Sequence, residues 1–142
     1  MNEAAPAEAF ARALFRVRLA SGERIRRIGV LDAEADTALR AAGCVRHWHI
    51  VTPCNPYSRP LSEAENRARL RECAAALDDL RWTHVEACNT AEDGSWPEPG
   101  FAIFDAPEDE VCALGRRFEQ WAIVGASLNE APRLIWLSVP GA

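Results

Sequence analysis

The chain contains no lysine: all 16 of its basic residues are arginine. A Schiff base on an enzyme amine, a P-loop lysine and a lysine general base are thereby excluded, because a guanidinium stays protonated at any working pH. There is no Cys-x-x-Cys pair, and the cysteines (Cys44, Cys54, Cys73, Cys88 and Cys112) are odd in number. They read as reduced, mostly buried small hydrophobes rather than a disulfide framework. No apolar run approaches the roughly 18–20 residues of a membrane span. Met1 to Pro6 lacks the basic segment and apolar stretch of an export signal. The expected location is therefore the cytoplasm, with no membrane partner. A Gly-x-Ser-x-Gly elbow, a Gly-x-Gly-x-x-Gly loop and a P-loop are also missing, and no cofactor is indicated.

What is present is the composition of a folded domain: 142 residues, 49% hydrophobic and 26% charged. Residues 1–9 read as a flexible leader or the start of a short helix, and residues 10–142 as a single globular domain. Phe15, Val17 and Leu19 alternate with Arg16 and Arg18, the period of a half-buried strand. Ser21-Gly22 turns the chain into a second strand predicted over Ile25 to Val30, with a bulge at Arg26-Arg27. Asp32 caps a short helix that Gly43 ends, and residues 46–52 form a strand leading into a proline-rich loop. Ser62 and Glu65 have the spacing of a capping box and open a helix over 63–80. Strands follow near Thr83–Ala87 and Phe101–Phe104, separated by a polar loop from Asn89 to Gly100. A helix after Pro107 and two closing strands complete the order ββαβαββαββ. The expected class is α+β, a single mixed or antiparallel sheet with about three packed helices.

Charge is unevenly placed around a net of −5. Arg12, Arg16, Arg18, Arg24, Arg26 and Arg27 crowd the first hairpin, whereas Glu86 to Glu110 holds acids and no arginine. The basic hairpin fits a nucleic acid or an acidic protein partner, and equally a solvated face paired with the acidic side of its own fold.

Polar residues interrupt the long helix where its apolar stripe should continue. Leu70, Cys73, Leu77 and Leu80 recur at helical spacing, and one turn earlier the stripe meets Asn66, with Arg69 beside it. An inward amide without partners costs roughly 1–3 kcal/mol. The preceding loop supplies Thr52, Asn55 and Ser58. A helix N-terminus beside the carboxyl end of a strand commonly receives anions. Two readings stand: a polar pocket, or a tie that fastens the loop.

Thr52-Pro53-Cys54-Asn55-Pro56, Glu65-Asn66-x-x-Arg69, Trp96-Pro97-Glu98-Pro99 and Gly115-Arg116-Arg117-Phe118-x-Gln120-x-Ala122-Ile123, in this order, resemble the bacterial family catalogued as domain of unknown function 3293. The resemblance runs from about residue 12 to residue 136. It implies that Asn55, Asn66, Arg69, Glu98 and Gln120 are signature positions, and it brings no established activity. Glu119, Trp121 and Gly100 depart from the family pattern.

The function expected from these residues is binding of a polar or anionic small molecule, such as a nucleotide or another phosphate-bearing group, beside the N-terminus of the 63–80 helix. Thr52, Asn55, Ser58, Asn66, Arg69, Glu98 and Gln120 are the candidate ligand-binding residues. An enzyme using Glu98 as general acid or base is the first alternative, and an interaction module using the arginine-rich hairpin is the second. His47 and His49 lie on one strand face, but no loop supplies tightly paired further ligands, so no metal is expected. Cys54 with His49 or His84 is the one thiol–imidazole combination to weigh.

Overall fold

A computed structural model describes residues 5–137. Its elements are α1 (Ala5–Arg12), β1 (Leu14–Leu19), β2 (Gly22–Arg26), α2 (Ala33–Ala41), β3 (His47–Val51), α3 (Glu63–Leu80), β4 (Thr83–Thr90), β5 (Glu98–Phe104), α4 (Glu108–Arg117), β6 (Ala122–Ser127) and β7 (Arg133–Trp136). The class is α+β. The seven strands form one antiparallel sheet in the order β2-β1-β4-β5-β3-β6-β7. The sheet curls so that its two edges communicate. Gly29, just past β2, donates its N–H to the Pro132 carbonyl before β7 at 2.8 Å. Phe10 of α1 meets Trp136 of β7 edge to face at 5.8 Å.

Strand alternation divides the core in two. One sheet face carries Phe15, Val17, Trp48, Ile50, Phe104 and Val124, sealed by Ala38 and Leu39 of α2. The other carries Val51, Ile103 and Ile123, covered by Cys73 and Leu77 of α3 and Val111 and Leu114 of α4. Each large side chain so buried contributes about 1.5–3 kcal/mol of transfer free energy.

The capping box forms as the sequence indicates. Ser62 Oγ accepts from the Glu65 N–H at 3.1 Å, and the Ser62 N–H donates to Glu65 Oε1 at 3.2 Å. Asp32 caps α2 by accepting from the Ala35 N–H at 3.0 Å. Gly115 sits where a Cβ would come within 2.5 Å of Leu137 and 3.1 Å of Ile123, so α4 lies close on the sheet only because that position is bare.

Of the two readings of residues 1–9, the structure holds the start of a short helix, α1 beginning at Ala5; residues 1–4 lie outside the described residues. Three expectations change. β2 ends at Arg26 with no bulge, because the Arg26 side chain turns inward, only 1% exposed, and its Nη1 donates to the Val30 carbonyl and curls the chain into a turn. The buried stripe of α3 is Cys73, Ala76 and Leu77, with Leu80 left 44% exposed. Finally, β4 runs on to Thr90 and β5 begins at Glu98, so both ends of the expected polar loop are paired strand and only residues 91–97 remain as the connection.

Candidate functional site

The loop after β3 and the first turns of α3 are fastened together by side chains. Asn66 Oδ1 accepts the Asn55 N–H at 3.0 Å while Asn66 Nδ2 donates to Asn55 Oδ1 at 2.9 Å. Asn55 Oδ1 also accepts the Leu61 N–H at 3.1 Å, which closes the loop on itself. Asn55 adopts left-handed backbone at φ 50°, a conformation asparagine tolerates better than most residues.

Arg69 and Gln120 fasten the other side. Arg69 Nε donates to the Pro53 carbonyl at 2.6 Å, its Nη2 donates to the Phe118 carbonyl, and its Nη1 lies 3.6 Å from Glu119 Oε1. Gln120 is buried, and its Nε2 donates to the carbonyls of Cys54 at 3.1 Å and Phe118 at 3.0 Å. Thr52 is buried against Gly100, where a Cβ would come within 2.2 Å of the Val51 carbonyl. The expected residues do converge, but Thr52, Asn66, Arg69 and Gln120 meet protein. The Arg69 fork is spent on main-chain carbonyls rather than held out for an anion.

Glu98 is where this clamp reaches open space. Its Oε2 accepts from Asn55 Nδ2 at 3.0 Å, and with Ser58 it lines a cavity of about 160 Å³. Phe10 of α1, Asn89 and Thr90 of β4, and Trp96 complete the wall. Burial pushes the Glu98 carboxyl above its ordinary range, although the Asn55 amide and the Trp96 indole N–H each hold it back. Sheet register explains the placement. Phe15, Asn89 and Glu98 stand opposite one another across β1, β4 and β5, hence on one face. The neighbouring row, Val17, Ala87 and Gly100, belongs to the same face. The apolar face therefore ends in two polar side chains, and Asn89 Oδ1 is buried without a partner.

Asn89, Trp96 and Phe10 were not read from the sequence as site residues. The inward alternation Val85, Ala87, Asn89 and its mate Phe104, Ala102, Gly100, Glu98 was the available signal for Asn89. For Trp96 the signal was its place beside Glu98 in the Trp96-Pro97-Glu98-Pro99 motif, and for Phe10 the sequence carries none. Backbone strain collects at this corner. Asn55, Tyr57, Ser58, Trp96 and Glu119 all have φ between 50° and 60°, and each such residue costs on the order of 1 kcal/mol.

The other constellations are occupied. His47 Nε2 lies 2.7 Å from the Ala106 carbonyl, and His49 Nε2 lies 2.9 Å from Glu108 Oε1, which also pairs with Arg133. Cys54 Sγ contacts the Pro99 carbonyl, and burial pushes its thiol up to about 11, so it is a protonated core thiol rather than a nucleophile. In the first hairpin Arg16, Arg18 and Arg27 pair with Glu23, Glu86 and Glu92, and Arg26 is buried. Among the described residues no helix is long and apolar enough to cross a membrane.

His49 gives the fold a pH dependence. Burial lowers its pKa below the ordinary 6.5, against the opposing pull of Glu108. The unfolded chain then binds the proton more readily, so stability is full above about 6.5 and declines as pH falls below it. Glu98 acts oppositely: its raised pKa gives stability that is lost as pH rises above the ordinary 4.5 and through the folded value. Urea midpoints of Glu98→Gln between pH 7 and about pH 5 should therefore show the His49 decline with the opposing Glu98 slope removed. A flat profile would mean that His49 takes up its proton equally in both states.

A family model described as "Protein of unknown function (DUF3293)" matches residues 51–123. No curated protein and no solved structure matches the chain.

Proposed function

We propose that this chain, which belongs to the DUF3293 family of proteins of unknown function, binds a small polar molecule in the cavity beside Glu98. One observation carries the reading. A carboxyl group whose ionisation burial disfavours is kept on the wall of a mostly apolar hollow, its orientation fixed by Asn55. A carboxylate buried without a counter-charge lowers stability, and groups that lower stability are retained chiefly where they act on something else. The clamp of Asn66, Arg69 and Gln120 serves this site by holding the loop that carries Asn55 and Ser58. The anionic ligand indicated by the sequence loses its main donor in Arg69, so the polar molecule is one that donates to Glu98.

Glu98→Gln tests the reading. The variant keeps shape and the Asn55 contact while removing the charge. Its melting temperature at pH 7 should equal or exceed that of the parent chain, and stabilisation by the ligand should disappear. A variant that melts lower and still binds would overturn the proposal.

A second reading, Glu98 as general acid or base, is favoured by its raised pKa together with the Ser58 hydroxyl in the same cavity. It differs in outcome: Glu98→Gln would then keep binding and lose turnover. The hairpin as an interaction surface rests chiefly on Arg24, since its neighbours Arg16, Arg18 and Arg27 are paired within the chain.

A further inference from the structure

We infer that the molecule bound in this cavity is a small organic cation, a primary ammonium or amidinium group carried on one apolar ring or a chain of similar bulk. The inference rests on the reading that the cavity is a binding site, and it assigns the class of ligand.

The wall decides the sign of the charge. Glu98 and Asn89 stand side by side on one face of the β4–β5 pair, and Asn89 Oδ1 is buried without a partner. The wall holds no arginine or histidine, and the sequence has no lysine to bring one in. An anion entering here would meet a carboxylate with no counter-charge on the wall. An ammonium or amidinium group meets the Glu98 carboxylate, to which its N–H groups can donate.

The aromatic residues decide the rest. Phe10 and Trp96 stand on the same wall, and Trp96 is 51% exposed although its backbone holds a left-handed turn at φ 54°. Aromatic faces attract a cation within about 6 Å and stack on a flat apolar group. The size fits a single ring: the cavity is about 160 Å³, close to the ~150 Å³ that holds one benzene in an engineered apolar core.

Three probes of nearly equal shape separate the possibilities: benzylamine, benzyl alcohol and benzoate, each titrated into the full chain near pH 7 by calorimetry and melting. Benzylamine should bind and raise the melting temperature, benzyl alcohol should bind at least tenfold more weakly, and benzoate should not bind. Glu98→Gln should cost benzylamine at least tenfold in affinity, and Trp96→Ala should weaken it also. Benzyl alcohol or benzoate binding as tightly as benzylamine overturns the cation assignment and leaves the cavity a binding site. Benzylamine binding that Glu98→Gln leaves unchanged overturns the assignment too. If none of the three binds, both the assignment and the cavity reading fall.

Discussion

Replacing Arg69 with methionine should lower the stability of the fold by about 2–3 kcal/mol while leaving the Glu98 cavity able to bind. The guanidinium donates to two carbonyls from separate parts of the chain, Pro53 after β3 and Phe118 after α4. Hydrogen bonds from a charged donor contribute about 1.5–3 kcal/mol each when buried, and the one-fifth exposure of the Arg69 side chain, with water free to reach the deserted carbonyls, discounts the pair to that total. Methionine keeps the packing over the Phe118 ring, from which the guanidinium carbon stands 5.8 Å, so the loss falls on the polar contacts. Lysine should not rescue them, because a single ammonium cannot reproduce a planar fork aimed at two carbonyls. Urea denaturation with an unchanged m-value gives the number. A change below 0.5 kcal/mol, accompanied by loss of ligand binding, would return Arg69 to the role of ligand group.

The same residue marks the limit of what the sequence discloses. Asn66 and Arg69 stand out as polar positions on an inward helix face, and that much is legible. Whether Arg69 faces a ligand or main-chain carbonyls depends on where Pro53 and Phe118 lie in space, and a carbonyl has no signature in a sequence. The opening of α3 was legible because a capping box is local, three residues apart. The extent of β4 and β5 was not. Asn89, Thr90, Pro99 and Gly100 have the chemistry of a loop, and they are extended because β4 is paired on both sides, with β1 and with β5. Strand preference is set by such neighbours more than by the residues themselves. The cavity wall followed the same rule. Ser58 was found from the loop before α3 and Glu98 from the motif that holds it, whereas Asn89 and Phe10 reach the wall through long-range pairing and a helix that packs back from the N-terminal side.

Asn55→Ala should be the more damaging change, at about 3 kcal/mol or more, because one side chain serves three others. Its Oδ1 accepts from the Leu61 N–H and Asn66 Nδ2, and its Nδ2 donates to Glu98. Truncation leaves the Asn66 Nδ2 and Leu61 N–H donors without an acceptor at about 1–3 kcal/mol for each group that stays buried, while the Asn55 main-chain N–H still donates to Asn66 Oδ1. It also places alanine at φ 50°, where a Cβ is strained. Asn66→Ala removes one partner of the same pair, so the double variant should lose measurably less than the sum of the two single losses, the mark of direct coupling. Additive losses would show that the two amides do not act as a unit. The variant reaches the functional group as well. Asn55 is one of two donors that hold the Glu98 carboxyl down against the effect of burial, so without it Glu98 should titrate still higher, as read from its side-chain carboxyl resonance. Binding of a cation then requires deprotonating a more reluctant acid, and the pH at which binding begins should move upward with it. A binding profile that stays in place while the carboxyl shifts would separate Glu98 from the ligand, however firmly the loop is held.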